Sequence, residues 1–357
     1  MKLLLTFYIP SGGVETLNRL RSRALRQVGI ECHVLYAQKG AGLQNKSNIP
    51  TYIASSDTDI RHIIHAQQFD AILVSSDYLM LERIRRLGYK GSLLYEAQGL
   101  GAHELAEETA AAAAPFIQQY AQGIHLPTTA HLIQLFEKYC PHTPKYIFTN
   151  LVDYDKFHYR KSLKTPAHPI ISWIGRLESN KNWKDFIDVC HLLVQQHPKL
   201  RIWMFIDPNL SQEKEHKRLI YKIGTLNLRD RFTLHNNVPH AHMMDYLSMT
   251  GDSGGFLMST SILEGFGYSI AEAMSCRCPV VSSDSDGVRV FIQHNVTGKF
   301  YPHHNLQQAC IEGLELLHNK NLRNTIRDQA VQHIKQNFQP AVYAHHFSHM
   351  LNQAKPH

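Results

Sequence analysis

No apolar run in the sequence approaches the roughly 20 residues that a membrane-spanning helix requires. The N-terminal stretch Lys2–Tyr8 is also too short for a secretory signal peptide, since Pro10 and two glycines soon follow it. We therefore interpret that stretch as a buried first strand. The six cysteines are scattered, and Cys276 and Cys278 have no second pair or histidine at zinc-ligand spacing. These absences predict a soluble, cytoplasmic protein with reduced thiols and no metal site.

Patterns that would assign the sequence to other classes are missing as well. There is no low-complexity tract and no internal repeat of about 20–50 residues, which argues against repeat architectures. No G-x-G-x-x-G follows the first strand of either half, which disfavours a nicotinamide-dependent oxidoreductase. The run His103–Glu108 is not a zinc-binding H-E-x-x-H, because Glu107 stands where the second histidine is required.

The chain is basic, with a formal net charge of +7 that leaves 24 histidines uncounted, and this balance suits anionic partners. Cations interleave with leucine or isoleucine in two clusters, Arg19–Arg26 and Arg83–Lys90. These clusters are interpreted either as solvated helix faces or as peripheral contacts with the anionic inner face of the plasma membrane. The arginines of the membrane interpretation are Arg19, Arg23, Arg26, Arg83 and Arg86. No nucleic-acid partner is expected, because no recognised nucleic-acid module is present.

A length of 357 residues suits two domains of about 150–200 residues each. Short apolar segments alternate with helical patterns in both halves, as expected for strands that are buried on both faces of a parallel sheet. The polar stretch Tyr159–Pro169 separates the two blocks and is predicted to be an interdomain linker. The predicted strands are Lys2–Phe7, Cys32–Tyr36, Ala71–Ser75, Ser92–Tyr95, Gly123–Leu126, Tyr146–Thr149, Ile170–Ile174, Arg201–Ile206, Phe232–Leu234, Gly254–Met258 and Pro279–Ser282.

Helical patterns fill the intervals between these strands. The clearest one places Val14, Leu17, Leu20, Ala24 and Val28 on a single apolar stripe. Alternating strands and helices in two blocks predict an α/β fold class with two open parallel sheets. Because ligands in such sheets bind beyond the carboxyl ends of the strands, we expect two facing sheets to share one cleft.

The most informative segment is Ser261–Ser275, in which a glycine-containing turn precedes a predicted helix. Backbone amides and the positive end of the helix dipole stabilise a diphosphate at such a helix start. Gly265 and Gly267 let an anionic ligand approach the main chain. Glu264 on the loop and Glu272 in the helix are placed to accept hydrogen bonds from the hydroxyls of a ligand. Taken alone, such a glutamate pair is usually no more than a favourable helix start and a solvent-facing side chain.

The segment continues into Cys276–Asp284, and at this point the sequence resembles the retaining GT-B glycosyltransferases of family 4, also called glycosyl transferases group 1. The shared signature is E-G-F-G, then E-A-M, then a P-V-V strand. Weaker resemblances in the same order extend over nearly the whole chain. They are Gly12–Glu15, Asn150–Asp153 with Phe157, Gly175–Leu177 with Lys181, and Asn295–Gly298. Departures at Leu151, Arg277 and the Asp286-Gly287 pair remove no donor-contacting group.

The resemblance implies a GT-B fold with two facing Rossmann-like domains and a cleft between them. Residues 1–158 are expected to form an N-terminal acceptor-binding domain, and residues 159–339 a C-terminal nucleotide-sugar-binding domain. A last helix within residues 340–357 is expected to cross back and pack on the N-terminal domain.

The resemblance also implies the roles of individual residues in a donor site. Arg176 and Lys181 are expected to hold the diphosphate, Glu264 the hydroxyls of the donor sugar, and Glu272 the ribose. Glu264, Arg176 and Lys181 are accordingly the expected catalytic residues. The other implied donor-binding residues are Gly265, Phe266, Gly267, Tyr268, Ser269, Asn237 and Val238.

The acceptor side matches the family less well. The family often has a histidine just after the strand that is here followed by Gln98 and Gly99, and His103 lies five residues beyond Gln98. Either His103 supplies the role of that histidine or it simply begins a helix. Gly12 and Gly13 are expected to line the cleft on the same side.

By resemblance, the activity is transfer of a hexosyl or N-acetylhexosaminyl group, with UDP-sugar as the favoured donor, to a glycan or lipid-linked acceptor in cell-surface polysaccharide or lipopolysaccharide synthesis. The family implies retention of configuration by front-face attack. No D-x-D motif precedes a strand end in the sequence, so no metal or other cofactor is expected. Three alternatives remain: a nucleotide-sugar epimerase or a phosphorylase of the same fold, or a non-catalytic sugar-nucleotide-binding protein.

Overall fold

The computed structural model describes residues 1–45, 47–161 and 166–354, and the chain forms two compact units. The first unit comprises Met1–Asp153 together with the chain from Phe338 onward, and the second comprises Tyr154–Asn337. Each unit is built around a parallel sheet with helices packed on it, so the predicted α/β class with two Rossmann-like domains is confirmed.

Seven parallel strands form the sheet of the first unit, in the order β3-β2-β1-β4-β5-β6-β7. They are β1 (Lys2–Phe7), β2 (Glu31–Tyr36), β3 (Thr51–Ile53), β4 (Ala71–Ser75), β5 (Ser92–Glu96), β6 (Gly123–Leu126) and β7 (Lys145–Ile147). The central strands β1, β4 and β5 are buried along nearly their whole length because helices cover both faces, and Leu3, Leu4 and Leu5 are fully buried. The strand order reverses between β1 and β4, which is where ligands bind in open parallel sheets.

Five helices of the first unit alternate with these strands. They are α1 (Gly12–Arg26), α2 (Asp57–Gln67), α3 (Leu79–Arg86), α4 (His103–Tyr120) and α5 (Ala130–Tyr139). The predicted stripe of α1 buries Leu17, Leu20 and Ala24. The prediction was wrong for the last residue of the stripe, Val28, which is 48% exposed. The reason is that α1 ends at Arg26, before the stripe is complete.

The inner face of α1 carries a buried charge, and its network joins four secondary-structure elements, α1, β4, β5 and β6. Arg21 is fully buried and donates two hydrogen bonds of 2.7 Å to the two carboxylate oxygens of Glu96. Ser75 Oγ donates to Glu96 Oε2 at 2.6 Å, and His125 Nδ1 lies 2.8 Å from Glu96 Oε1. The basic cluster Arg19–Arg26 is therefore not simply a solvated helix face, since one of its arginines completes a charge network inside the unit.

The pKa shifts of this network favour the deprotonated forms of both titratable groups. Burial raises the pKa of the Glu96 carboxyl, but the Arg21 charge and the His125 hydrogen bond outweigh it and hold that pKa well below its usual value. Burial lowers the pKa of the His125 imidazole, and the Glu96 carboxylate only partly offsets the effect. At neutral pH the network therefore consists of one cation, one carboxylate and one uncharged imidazole.

Acid should destabilise the first unit through this network. The unfolded chain binds the His125 proton near the ordinary pKa of 6.5, whereas the folded chain binds it only at lower pH. The stabilising contribution is therefore complete above about pH 6.5 and is lost as the pH falls below it, with protonation of Glu96 adding to the loss below about 4.5. Urea unfolding between pH 7.5 and 5.5 should thus show a smaller pH slope for His125→Gln than for the wild type.

The exposed His103 supplies the control for that measurement. His103→Gln should leave the pH slope of the unfolding free energy unchanged. Equal slopes for the wild type and His125→Gln would contradict a lowered pKa at His125.

Six parallel strands form the sheet of the second unit, in the order β10-β9-β8-β11-β12-β13. They are β8 (Ile170–Ile174), β9 (Arg201–Ile206), β10 (Phe232–Asn236), β11 (Phe256–Ser259), β12 (Val280–Ser283) and β13 (Lys299–Tyr301). The helices are α6 (Trp183–Gln196), α7 (Glu213–Thr225), α8 (His240–Asp252), α9 (Tyr268–Ser275), α10 (Leu306–His318) and α11 (Lys320–Asn337). Trp173, Trp183 and Phe186 pack in the core between the sheet and α6, and the strand order reverses between β8 and β11.

The predicted linker Tyr159–Pro169 begins inside the second unit, and its residues 162–165 lie outside the described residues. The hydroxyl of Tyr159 donates to Asp252 Oδ2 at 3.0 Å, which holds the start of this segment on α8. The units divide after Asp153, five residues before the expected boundary, and Phe157, between these two positions, packs against His240 of α8.

The last helix, α12 (Pro340–Gln353), belongs to the first unit and packs on α1. Its Phe347 side chain is fully buried. The Val152 amide donates to the Phe338 carbonyl at 2.9 Å, and Ser92 Oγ donates to the Ala354 carbonyl at 2.8 Å. The two ends of α12 are thus both fastened to the body of the first unit.

Candidate functional site

Three loops of the second unit carry the residues that the sequence predicts for a donor site. Gly175–Lys181 follows β8, Asn237 and Val238 follow β10, and Thr260–Gly267 follows β11. All strands of this sheet are parallel, so the loops after them lie at the same edge. The sheet therefore gathers the predicted residues along one side of the unit.

The loops after β8 and β11 meet through an ion pair. Lys181 Nζ lies 2.5 Å from Glu264 Oε1, and the two side chains are only 19% and 11% exposed. Because the pair is largely sheltered from solvent, its attraction is screened less than that of a surface pair. Two of the three residues predicted to be catalytic are thus in direct contact.

Asn180 fastens the same two loops together. Its side-chain amide donates to the Leu263 carbonyl at 3.0 Å, and its Oδ1 accepts from the Leu263 amide at 3.1 Å. The Asn180 carbonyl also accepts from the Ile262 amide at 2.8 Å. The role of Asn180 is not visible in the sequence, because an asparagine before a lysine carries no signal of a partner 83 positions away.

The glycine turn leads into α9, and the N-cap position of this helix is Gly267, which has no side chain to cap it. Gly267 has a φ of 91°, a conformation that favours glycine, and directly precedes α9. Phe266 and Tyr268 are buried, and Ser269 is partly exposed, so the two aromatic residues contribute backbone amides rather than side chains to the turn. This arrangement is suited to binding an anion at a helix start.

Close packing against Gly287 also fixes the glycine turn that precedes α9. The Gly287 amide donates to the Glu264 carbonyl at 3.0 Å, and a Cβ on Gly287 would lie 2.2 Å from that oxygen. The Asp286-Gly287 departure from the family pattern therefore preserves a glycine where the backbone needs one.

The second predicted carboxylate, Glu272 in α9, lies beside α8. Its Oε1 is 2.6 Å from His240 Nε2, and the exposures of the two side chains are 12% and 19%. Next to this pair, a pocket of about 490 Å³ is lined by Asn236, Asn237, Val238, Pro239, His242, Asp245 and Tyr246. Asn237 and Val238 were predicted, whereas His240 was not.

Arg176 does not join the Lys181–Glu264 pair. It follows β8 as predicted, but its guanidinium lies 3.0 Å from Glu178 Oε1, and its side chain is 43% exposed. Within the described ranges no hydrogen bond or ion pair connects it to Lys181 or Glu264. In this state Arg176 is a neighbour of the pair along the chain and not part of it.

The residues predicted for the acceptor side lie at the carboxyl edge of the first sheet. Gln98 follows β5, and its amide donates to Glu96 Oε1 at 3.0 Å and exchanges hydrogen bonds with Asn150. Its side chain is thus fastened to the buried charge network. His103 begins α4 and is exposed, and Gly12 begins α1 with open space beside its Cα. Gly13 follows it in the first turn of α1 and is also exposed.

An aspartate pair, Asp284-Ser285-Asp286, follows β12 directly. Both carboxylates face Arg289, at 2.8 Å and 3.9 Å. In the part of the chain that the structure describes, no group of three or more histidine, cysteine, aspartate or glutamate side chains is arranged to hold a metal ion.

Most arginines of the membrane interpretation are paired with acids of the same chain. The pairs are Arg19 with Glu15, Arg23 with Asp153, and Arg83 and Arg86 with Asp57, while Arg26 donates to the Asn48 carbonyl. These pairs neutralise much of the local positive charge. Among the helices of the described ranges, none has both the length and the apolar character to cross a bilayer.

The sequence matches the model of a known protein family. The sequence model of the glycosyl transferases group 1 family matches residues 155–333, which is half of the chain and nearly all of the second unit. Sucrose synthase of Solanum tuberosum is 26% identical over 162 residues, covering 41% of this chain and 19% of that protein. Poly(glycerol-phosphate) alpha-glucosyltransferase of Bacillus subtilis is 25% identical over 181 residues, covering 50% and 25%. The chain spans less than half the length of the curated relatives that it matches.

Solved structures are similar over the whole chain. HepE of Anabaena, solved in complex with UDP and glucose, matches with a TM-score of 0.84 at 17% identity, covering 99% of both chains. A likeness at this identity shows the fold alone. The fold of the chain is accordingly the GT-B fold.

Proposed function

Because the chain belongs to the glycosyl transferases group 1 family, we propose that it moves a sugar from a nucleotide sugar to a hydroxyl of a glycan or glycolipid, with retention of anomeric configuration. The observation that carries this proposal is the Lys181–Glu264 pair beside the start of α9. It places a cation for phosphate and an acceptor for sugar hydroxyls at a helix start that favours anions.

The donor is proposed to lie along the edge of the second sheet. Its diphosphate contacts Lys181, Arg176 and the backbone amides from Gly265 to Ser269, and its ribose hydroxyls contact Glu272. Its base enters the pocket of about 490 Å³ that includes Asn237 and Val238. Lys181 then turns from Glu264 to phosphate, which leaves the Glu264 carboxylate to accept hydrogen bonds from the sugar. UDP is the favoured nucleotide, and the complex of the similar HepE structure with UDP supports this choice.

The chemical step requires stabilisation of the negative charge that develops on the leaving diphosphate. Lys181, Arg176 and a row of amides supply it, and the interaction with the sheltered Lys181 is stronger than it would be in water. The departing phosphate is proposed to help deprotonate the acceptor hydroxyl during front-face attack. Glu264 and Glu272 bind hydroxyls in this scheme, and neither acts as a nucleophile.

A ligand screen tests the proposed function. Thermal unfolding should shift upward with one of UDP, GDP or ADP and with the matching sugar nucleotide, since a ligand that binds only the folded chain stabilises it. Cleavage of the donor should then require an acceptor hydroxyl, with slow hydrolysis by water in its absence. Conversion of the donor without acceptor to an epimer, dependence on inorganic phosphate, or binding without any turnover would contradict glycosyl transfer.

Metal independence is part of the proposal and has its own test. Because Lys181, Arg176 and the helix start supply positive charge at the diphosphate, excess EDTA should leave the initial rate of transfer largely unchanged. The measurement compares initial rates after incubation with EDTA and after addition of Mg²⁺ or Mn²⁺. Loss of activity in EDTA that either cation restores would contradict this part of the proposal.

The acceptor is proposed to bind at the carboxyl edge of the first sheet, near Gly12, Gly13 and His103, with Gln98 shaping the floor from its fixed position. A lipid-linked or polysaccharide acceptor fits a role in cell-surface glycan synthesis, and the match to a poly(glycerol-phosphate) glucosyltransferase supports it. Transfer of a hexosyl or N-acetylhexosaminyl group and action at the cytoplasmic membrane face belong to the same proposal.

A further inference from the structure

His240 contacts Glu272 of the proposed donor site, although His240 belongs to none of the motifs in the sequence. It is the first residue of α8 and follows Pro239, one of the residues that line the pocket. Its Nε2 lies 2.6 Å from Glu272 Oε1, and both side chains are more than four-fifths buried. A hydrogen bond this short between an imidazole N–H and a carboxylate is a charge-assisted contact of the stronger kind.

The His240 ring is held in place on its other side. Phe157 packs against it with ring centroids 4.8 Å apart and an interplanar angle of 33°, and Phe157 itself is buried. The imidazole thus has its orientation set by packing before any ligand is present. A donor group fixed in this way orients its acceptor at little cost in entropy when the ligand binds.

The contact uses one oxygen of the Glu272 carboxylate. Within the described ranges, Oε2 of Glu272 makes no hydrogen bond. A carboxylate held through Oε1 therefore presents Oε2 in a defined direction, and Pro239, the residue before His240, lines the pocket. A carboxylate oxygen presented in this way can accept hydrogen bonds from the vicinal hydroxyls of a ribose.

We propose that His240 is a positioning residue, which orients Glu272 so that its second oxygen accepts hydrogen bonds from the ribose hydroxyls of a bound nucleoside diphosphate. This inference rests on the proposed function, since it takes Glu272 as the ribose contact. His240 touches neither the sugar nor the phosphates in this scheme, and it affects binding only through the carboxylate that it holds.

Two variants separate the hydrogen bond from the packing. His240→Phe keeps an aromatic ring against Phe157 but removes the N–H, whereas His240→Gln restores an N–H donor. Calorimetry would measure the dissociation constants of UDP, GDP and ADP, each beside its 2′,3′-dideoxy form. For the nucleotide that the wild type binds, His240→Phe should weaken the ribose form by about 10- to 100-fold, and His240→Gln should recover most of the loss.

The dideoxy nucleotide is the decisive arm of the experiment. Because it lacks the hydroxyls, His240→Phe should bind it as tightly as the wild type does. In transfer assays the donor KM should rise by a similar factor while kcat at saturating donor stays close to the wild-type value. Equal weakening of ribose and dideoxy forms would show a packing role and overturn the inference, as would unchanged binding of both.

Failure of the proposed function would look different. In that case the wild type would bind none of the three nucleotides, and the inference would fall with it. Binding by the wild type together with an unaffected His240→Phe variant would overturn the positioning role alone.

Discussion

Replacing Glu264 by glutamine should lower the rate of sugar transfer by about 10²–10³-fold or more. The amide keeps the size of the side chain but removes the charge, and it presents only one acceptor oxygen to the donor sugar. It also deprives Lys181 of the anion 2.5 Å from its Nζ. Initial rates at saturating donor, beside thermal unfolding and circular dichroism of both proteins, provide the measurement, and the fold should remain intact.

A matched control is available on α7. Glu213 is 82% exposed and pairs with Lys217 one turn along the same helix. Glu213→Gln makes the same chemical change at a distance from the site and should leave transfer unaffected. Wild-type activity in the Glu264 variant would remove the basis for assigning this carboxylate to the donor sugar.

The largest effect on stability is expected from breaking the Arg21–Glu96 pair. Both side chains are fully buried, and removal of one leaves the other charged and without its partner. Arg21→Met should therefore lower the free energy of unfolding by about 3–5 kcal/mol. Urea unfolding at pH 7.5 measures the change, and Lys217→Ala in the exposed pair on α7 serves as the control.

A double variant tests whether the loss comes from the uncompensated charge. Arg21→Met combined with Glu96→Leu removes both charges and should be less destabilised than the sum of the two single variants. Strict additivity, or an Arg21→Met protein as stable as the wild type, would show that the pair contributes little.

Much of the fold could be predicted because strands buried on both faces leave a strong apolar signal. Lys2–Phe7, Ala71–Ser75 and Arg201–Ile206 have the predicted bounds. The two missed strands, β3 and β13, are three residues long and lie at sheet edges, where each pairs with only one neighbour. Such short edge strands carry too few apolar residues to form a pattern.

In the candidate site, too, some residues could be predicted from the sequence and others could not. The glycine turn and α9 could be located because their residues are contiguous, and the resemblance placed Lys181 beside them. Asn180 and His240 could not be found, because their roles depend on partners 83 and 32 positions away along the chain. Arg21 looked like a surface residue for the same reason, since its partner Glu96 lies 75 positions further on.

The place of α12 in the first unit has a consequence for synthesis on the ribosome. Residues 154–337 form one continuous stretch of chain, so the second unit is complete in sequence once that stretch has emerged, whereas α1 must wait for the helix that covers it. The first unit is therefore the first to begin synthesis, but it can complete its fold only after α12 has been synthesised. Until α12 arrives, the apolar surface under it is open to chaperones or to neighbouring nascent chains.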